Sequence, residues 1–171
     1  KKKPYSCDRN LYHISYEGGI LEDPWLEPPD EMYETVRPLI KTPNKPLKII
    51  LSFKNGIPIK LNNKTIKGVD LFKKLNPIAG KHGVGIVDIV ENRFVGMKSR
   101  GVYETPAGTV INIAHRAIES LTMDREVMHI RDTLIPKISQ LIYNGFWFSP
   151  EMQSLLSYVK ETQKNITGDV R

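Results

Sequence analysis

The sequence predicts an α+β fold: a small antiparallel sheet with a hairpin, packed with C-terminal helices, plus a proline-rich N-terminal arm. Three observations carry this prediction. Strand-like runs gather between residues 47 and 104, around an Asn55-Gly56 pair. Three helix-period stretches then follow one another to residue 168. Strands and helices do not alternate as they do in βαβ units.

The arm comes first. Residues 1–46 hold Pro4, Pro24, Pro28, Pro29, Pro38, Pro43 and Pro46, seven of the twelve prolines. Proline removes backbone donors and breaks helix and strand alike, so the segment is expected to lie irregularly over something else. Residues 47–104 should be mainly strands with one helix. LKIILSF (47–53) and IPIKL (57–61) flank Asn55-Gly56, a strong hairpin signal. Asn62-Asn63 is a second turn. In 69–83, Val69, Leu71, Phe72 and Leu75 have near-helical spacing, and Pro77 and Gly80 limit that helix. VGIVDIV (84–90) returns to strand composition, and a charged loop should follow it.

Residues 105–171 read as helices. Thr105 is a plausible N-cap with Pro106 at the first helical position. Val110, Ile113, Ala114, Ala117, Ile118 and Leu121 form an apolar stripe. A second helix spans 124–143, with Val127, Ile130, Leu134, Ile138 and Leu141 as its stripe, Pro136 inside it and Gly145 as its stop. Ser149, Pro150 and Glu151 open a third, lined by Met152, Leu155, Leu156, Val159 and Ile166 and ended by Gly168. The last residues, DVR (169–171), read like the start of another strand, and both ends have the look of mid-protein.

Composition narrows the function classes. The 171 residues are 40% hydrophobic and 26% charged, within the range of soluble domains. No apolar run approaches the roughly 20 residues of a membrane span, and no apolar core follows the basic start, so neither a membrane partner nor a secretory signal is expected. Cys7 is the single cysteine and allows no internal disulfide, which points to a reducing compartment. The triplets Asn63-Lys64-Thr65 and Asn165-Ile166-Thr167 are then accidental glycosylation patterns. The formal charge of +6 suits nucleic acid or small anions equally. The lysines are scattered, with only Lys1–Lys3 clustered, and this argues against nucleic acid.

No P-loop, zinc-helix signature or nucleophile elbow is present. KHGVG (81–85) lacks dinucleotide spacing and reads better as a helix stop and turn. His13, His82, His115 and His129 are far apart in sequence, and no metal site is expected of them.

Two polar clusters are candidates for a ligand site. In residues 86–108, IVDIVENRFVGMKSRGVYETPAG, a strand-like run gives way to charges and glycines before a capped helix. Glu91 emerges at the end of the run, where its carboxylate can accept from an ammonium, and Tyr103 adds a phenol. An internal ion pair of Glu91 with Arg93 or Arg100 explains the same residues equally well. The second cluster, YSCDRNLYHISYEGG (5–19), offers Ser6, Ser15, Asp8, Asn10 and Glu17 among tyrosines. Rings and hydroxyls of this kind often line a small-molecule pocket.

These stretches, with TMDREV and YNGFWFSPE, resemble argininosuccinate synthase collinearly from about Tyr5 to Arg171. The resemblance implies an ATP-dependent C–N ligase of arginine biosynthesis. It joins citrulline and aspartate and releases AMP and pyrophosphate. It also implies a cytoplasmic homotetramer with no nucleic-acid partner. ATP, with Mg2+, would be a co-substrate bound mainly by an N-terminal nucleotide-binding domain. That domain and a C-terminal oligomerisation arm are absent from these 171 residues, which correspond to the synthetase, citrulline-binding domain. Such a fragment is expected to be inactive alone. By match to the family motifs YS-x-D-x-N, HISYEGG, VENRF and RGVYETP, Ser6, Ser15, Glu91 and Tyr103 are implied as citrulline-binding residues. Arg93, Lys98 and Arg100 match too and are expected in structural ion pairs. Ile86 stands where the family commonly has arginine, which puts a local ion pair of Asp88 in doubt. A non-catalytic binding or scaffold protein that kept the fold is the competing reading.

Overall fold

The computed structural model describes residues 4–171, so the basic triplet Lys1–Lys3 lies outside the described residues. Eight strands and four helices follow in this order: β1 (Ser6–Arg9), β2 (Ile14–Glu17), β3 (Leu51–Lys54), β4 (Ile57–Leu61), β5 (Lys64–Thr65), α1 (Gly68–Lys81), β6 (Ile86–Asn92), β7 (Lys98–Glu104), α2 (Pro106–Thr122), α3 (Arg125–Tyr143), α4 (Pro150–Thr162) and β8 (Gly168–Val170). The fold is α+β, with two four-stranded antiparallel sheets in place of one. No helix of the described residues is long and apolar enough to cross a membrane.

The chain divides into two compact units. Of the described residues, the first takes 4–48 and 66–113, and the second takes 49–65 and 114–171.

In the first unit the sheet order is β1-β2-β7-β6. The proline-rich arm is therefore not wholly irregular. Its residues 6–17 supply a hairpin, β1–β2, because Tyr16 and Ile14 alternate with Ser15 and Glu17 and bury one face. Ile14, Tyr16, Leu21, Met32 and Val102 form the core beneath that face. The charged loop expected after residue 90 is also strand. β6 and β7 pair in unbroken register from Ile86–Glu104 to Asn92–Lys98, and only residues 93–97 turn. Arg93 N–H donates to Met97 O at 2.8 Å, and Gly96 turns with φ 85°. α1 ends as the KHGVG stretch predicts. Gly83 takes φ 72°, and the Gly83 and Val84 amides return to the carbonyls of Gly80 and Ala79.

In the second unit the order is β5-β4-β3-β8. Asn55 and Gly56 both have positive φ, as a two-residue hairpin turn requires. The final DVR segment pairs with β3. Leu51, Phe53, Leu61, Ile118, Leu141, Met152 and Ile166 are buried in this unit.

Helix faces depart from the simple stripes. Ile113 and Leu121 are 64% and 86% exposed, while Glu119 is fully buried. Ile130 is exposed and Arg131 buried, because the Arg131 guanidinium pairs with the Glu119 carboxylate. Ile166 lies past the end of α4 and fills the core from the following turn, so Gly168 opens β8 and ends no helix.

Candidate functional site

Side chains alternate across a strand, and residues directly opposite one another share a face. These two rules place all four candidates together. Ser6 faces Glu17 across β1–β2. Ser15 faces Asp8 on one side and Tyr103 on the other. Tyr103 in turn faces Val87, and Glu91 faces Ser99. Ser6, Ser15, Tyr103 and Glu91 thus lie on one face of the sheet. Ile14, Tyr16 and Val102 point from the other face into the core.

Two of the four touch. The Tyr103 hydroxyl donates to Glu91 Oε1 at 2.7 Å. Burial, and then this bond to a carboxylate, push the Tyr103 phenol up to about 12. It remains a donor at any physiological pH. Glu91 lies four residues along β6 from Val87, the partner of Tyr103, which is about 13 Å of strand. The phenol spans that gap by lying along β7 over Gly101, where a Cβ would stand 2.7 Å from the ring.

The ion pairs leave Glu91 to the phenol. Arg93 pairs with Glu17 on the same face and donates to Ser99 Oγ at 3.2 Å. Arg100 pairs with Asp88 on the opposite face at 2.8 Å and 2.9 Å, and donates to the carbonyls of Asp23 and Leu26. This bidentate contact is the main cause that lowers the Asp88 carboxyl. Asp88 therefore has its cation from the neighbouring strand, although residue 86 is isoleucine. Arg93 and Arg100 are ion-pair partners, as expected, whereas Lys98, expected in the same role, is in no ion pair among the described residues.

Sequence reasoning missed three residues here. His13 stands edge-on to the Tyr103 ring, with centroids 5.8 Å apart. The alternation of His13, Ser15 and Glu17 was a signal for it, obscured by the surrounding prolines. Gly101 read as loop punctuation. Glu104, inside the core, holds the arm against the sheet by accepting from Tyr16 and from the backbone of residues 34–36.

Ser6, Ser15, Glu91 and Tyr103 line none of three cavities of this unit, although the smallest is bordered by His13 and Glu104 and a third, of about 430 Å³, by Pro43, Leu47 and His82. One of about 890 Å³ is bordered by Tyr33, Glu34, Arg37, Lys41 and Lys81, and one of about 90 Å³ by Arg9, Asn10 and Thr35. The KHGVG turn offers no phosphate cradle. The Gly83 and Val84 amides close α1, and Gly85 O accepts from Thr105 N–H at 2.6 Å. Among the described residues no group of three His, Cys, Asp or Glu is placed to hold a metal ion.

Residues 5–171 match the family described as the arginosuccinate synthase C-terminal domain. The chain belongs to that family. It is 57% identical over its whole length to the argininosuccinate synthase of Syntrophus aciditrophicus (strain SB), of which it covers 43%. It is 55% identical over 98% of its length to that of Desulfatibacillum aliphaticivorans, and 52% identical over its whole length to that of Syntrophotalea carbinolica. It covers 42% of each of these two. The chain therefore spans about two fifths of the curated argininosuccinate synthases it matches.

Proposed function

We propose that this chain is the citrulline-binding portion of an argininosuccinate synthase, an ATP-dependent ligase that joins citrulline and aspartate into argininosuccinate. The observation that carries the reading is the meeting of two distant motifs on one sheet face. Ser6 and Ser15 come from the first, and the bonded Glu91 and Tyr103 from the second.

The chemistry asks this face for positioning. The ureido oxygen of citrulline bonds to the α-phosphorus of ATP, and pyrophosphate leaves. The aspartate amine then bonds to the activated carbon, loses a proton, and AMP leaves. Both steps gain most from a substrate held in line. Two hydroxyls orient a neutral ureido chain. Glu91, already a hydrogen-bond acceptor, suits the α-ammonium, and Tyr103 fixes the carboxylate that receives it. ATP with Mg2+ and aspartate belong to other parts of the longer protein. The KHGVG turn does not fit a nucleotide, so no step is assigned to it. The assembly is a cytoplasmic homotetramer without nucleic-acid or membrane partners.

The test uses the full-length protein. AMP release should be sustained only when citrulline, aspartate and ATP are all present. Glu91→Gln should weaken citrulline roughly ten- to a hundredfold, the effect of losing a charge-assisted hydrogen bond, with ATP affinity unchanged. Equal damage to both ligands would refute the assignment. A folded protein that binds ATP and citrulline but releases no AMP would favour the non-catalytic scaffold.

A further inference from the structure

We infer that Gly101 and His13 are positioning residues that together force the Tyr103 phenol onto Glu91. This rests on the reading of that face as the citrulline site.

Three observations lead there. First, Tyr103 and Glu91 are not cross-strand partners; Tyr103 faces Val87, and Glu91 faces Ser99. Tyrosine standing upright from β7 would miss Glu91, so the ring must lean along its own strand. Second, the ring leans over Gly101. A Cβ at residue 101 would stand 2.7 Å from Tyr103 Cε2 and Oη and 2.9 Å from Cζ. These are the far atoms of a side chain. An alanine would therefore displace the ring and leave the strand in place. Gly101 does not need its conformational freedom either, since it is absent from the positive-φ glycines. Room for the ring is what its missing side chain provides. Third, His13 holds the ring from the side. The two planes are 78° apart at 5.8 Å, an edge-to-face contact. His13 is itself fixed: its N–H donates to Asn10 Oδ1 at 2.9 Å, and its carbonyl accepts from Asn10 N–H at 3.0 Å.

A carboxylate without this phenol would be free to rotate, and the ammonium it receives would be held less closely. Positioning groups of this kind act on affinity through geometry.

The experiment compares Gly101→Ala, His13→Ala and His13→Phe in the full-length protein, each in a Tyr103 and a Tyr103→Ala background. Citrulline affinity and melting temperature are measured throughout. Gly101→Ala should weaken citrulline about tenfold, the scale of one hydrogen bond to a charged group, with the melting temperature unchanged. In the Tyr103→Ala background the same change should have no further effect. His13→Ala should act likewise, and His13→Phe, which restores a ring edge, should recover most of the loss. Equal weakening by Gly101→Ala in both backgrounds, or none in either, overturns the inference.

A second readout separates this inference from the substrate reading. Tyrosines are replaced by 3-fluorotyrosine, and the fluorine resonance that Tyr103→Phe removes is assigned to Tyr103. It should move in Gly101→Ala without any ligand; an unmoved resonance overturns the placement. If Tyr103→Phe itself leaves citrulline binding intact, the substrate reading falls, and the fluorine result alone judges what Gly101 and His13 do to the ring.

Discussion

Glu104 and Tyr16 are joined by a 2.6 Å hydrogen bond in the interior of the first unit, both fully buried. The carboxylate also accepts from the amides of Glu34, Thr35 and Val36 at 2.8, 2.7 and 2.5 Å, and from Thr35 Oγ1 at 2.7 Å. Burial, and then the neighbouring carboxylate, raise the Tyr16 phenol strongly. Tyr16 therefore stays a donor. Five donors converge on one buried side chain, which leaves both of its oxygens satisfied in an apolar core. The same clamp ties residues 34–36 to β7 and so fixes β7 beside β2.

Glu104→Gln is the first prediction. The amide keeps the shape but turns one acceptor into a donor, and donors then face donors. Stability should fall by about 3 kcal/mol or more, since each buried donor left unpaired costs about 1–3 kcal/mol. Tyr16→Phe, which removes only one donor, should cost about 1.5 kcal/mol. Urea unfolding of the full-length protein measures both, and a Glu104→Gln loss no greater than that of Tyr16→Phe would contradict the clamp.

The second unit has a different buried charge. Glu119 is fully buried and is met by Arg131 Nη1 and, at 3.0 Å, Nη2; Gln163 Nε2 donates at 3.1 Å. Arg131 also donates to Asp132, which Arg116 holds bidentately at 2.9 Å. Arg131→Met should destabilise by about 3 kcal/mol, because it takes the two closest donors from a buried carboxylate and leaves it Gln163 and, at 3.4 Å, Arg116 Nη1. Changing Glu119→Leu as well should recover much of that loss.

The same network sets an acid limit. Burial of Glu119 opposes its charge, yet the bonds from Arg131 and Gln163 outweigh it and hold the carboxyl below 4.5. Asp132 is lowered from 3.8 to about 2, chiefly by Arg116. Depressed carboxylates stabilise the fold fully above their unfolded values and lose that contribution as pH falls through the folded ones. Stability should therefore decline below pH 4.5 and keep declining toward about pH 2. In Arg116→Met the Asp132 part of this decline should shrink, because the folded carboxyl returns toward 3.8. Denaturant midpoints across that range, with and without the substitution, test the sign.

Helix caps give a local prediction. Asp124 accepts from the amides of Glu126 and Val127 at 2.9 and 3.1 Å, and Ser149 Oγ from Met152 N–H at 3.1 Å. Asp124→Ala and Ser149→Ala should each cost about 1 kcal/mol, and Asp124→Asn very little. Chemical unfolding midpoints should rank them in that order.

Much of this molecule was legible from local signals. Asn55-Gly56 marked its hairpin, Gly83 its helix stop, and Pro106 and Ser149 their helix starts. Each is a matter of backbone geometry within a few residues. β1 and β2 were hidden because prolines surround them and their alternation covers only four residues each. β7 was hidden because Lys98 and Arg100 disguise a strand, and the partner that seats Arg100, Asp88, lies on β6. Arg131 was unreadable as a core residue for a like reason: its burial is made tolerable by Asp132 and by Glu119, twelve positions away on another helix.

By itself the sequence determined the α+β class, the caps and turns, the family motifs and the four residue types offered to a ligand. Those follow from interactions along the chain, where spacing fixes geometry. The tertiary structure alone decided that residues 14–17 lie against 101–104, that Glu104 gathers five donors, and that Tyr103 crosses Gly101 to reach Glu91. Strand partners and buried charges are chosen by what meets them across the fold, and that choice leaves no period in the sequence to read.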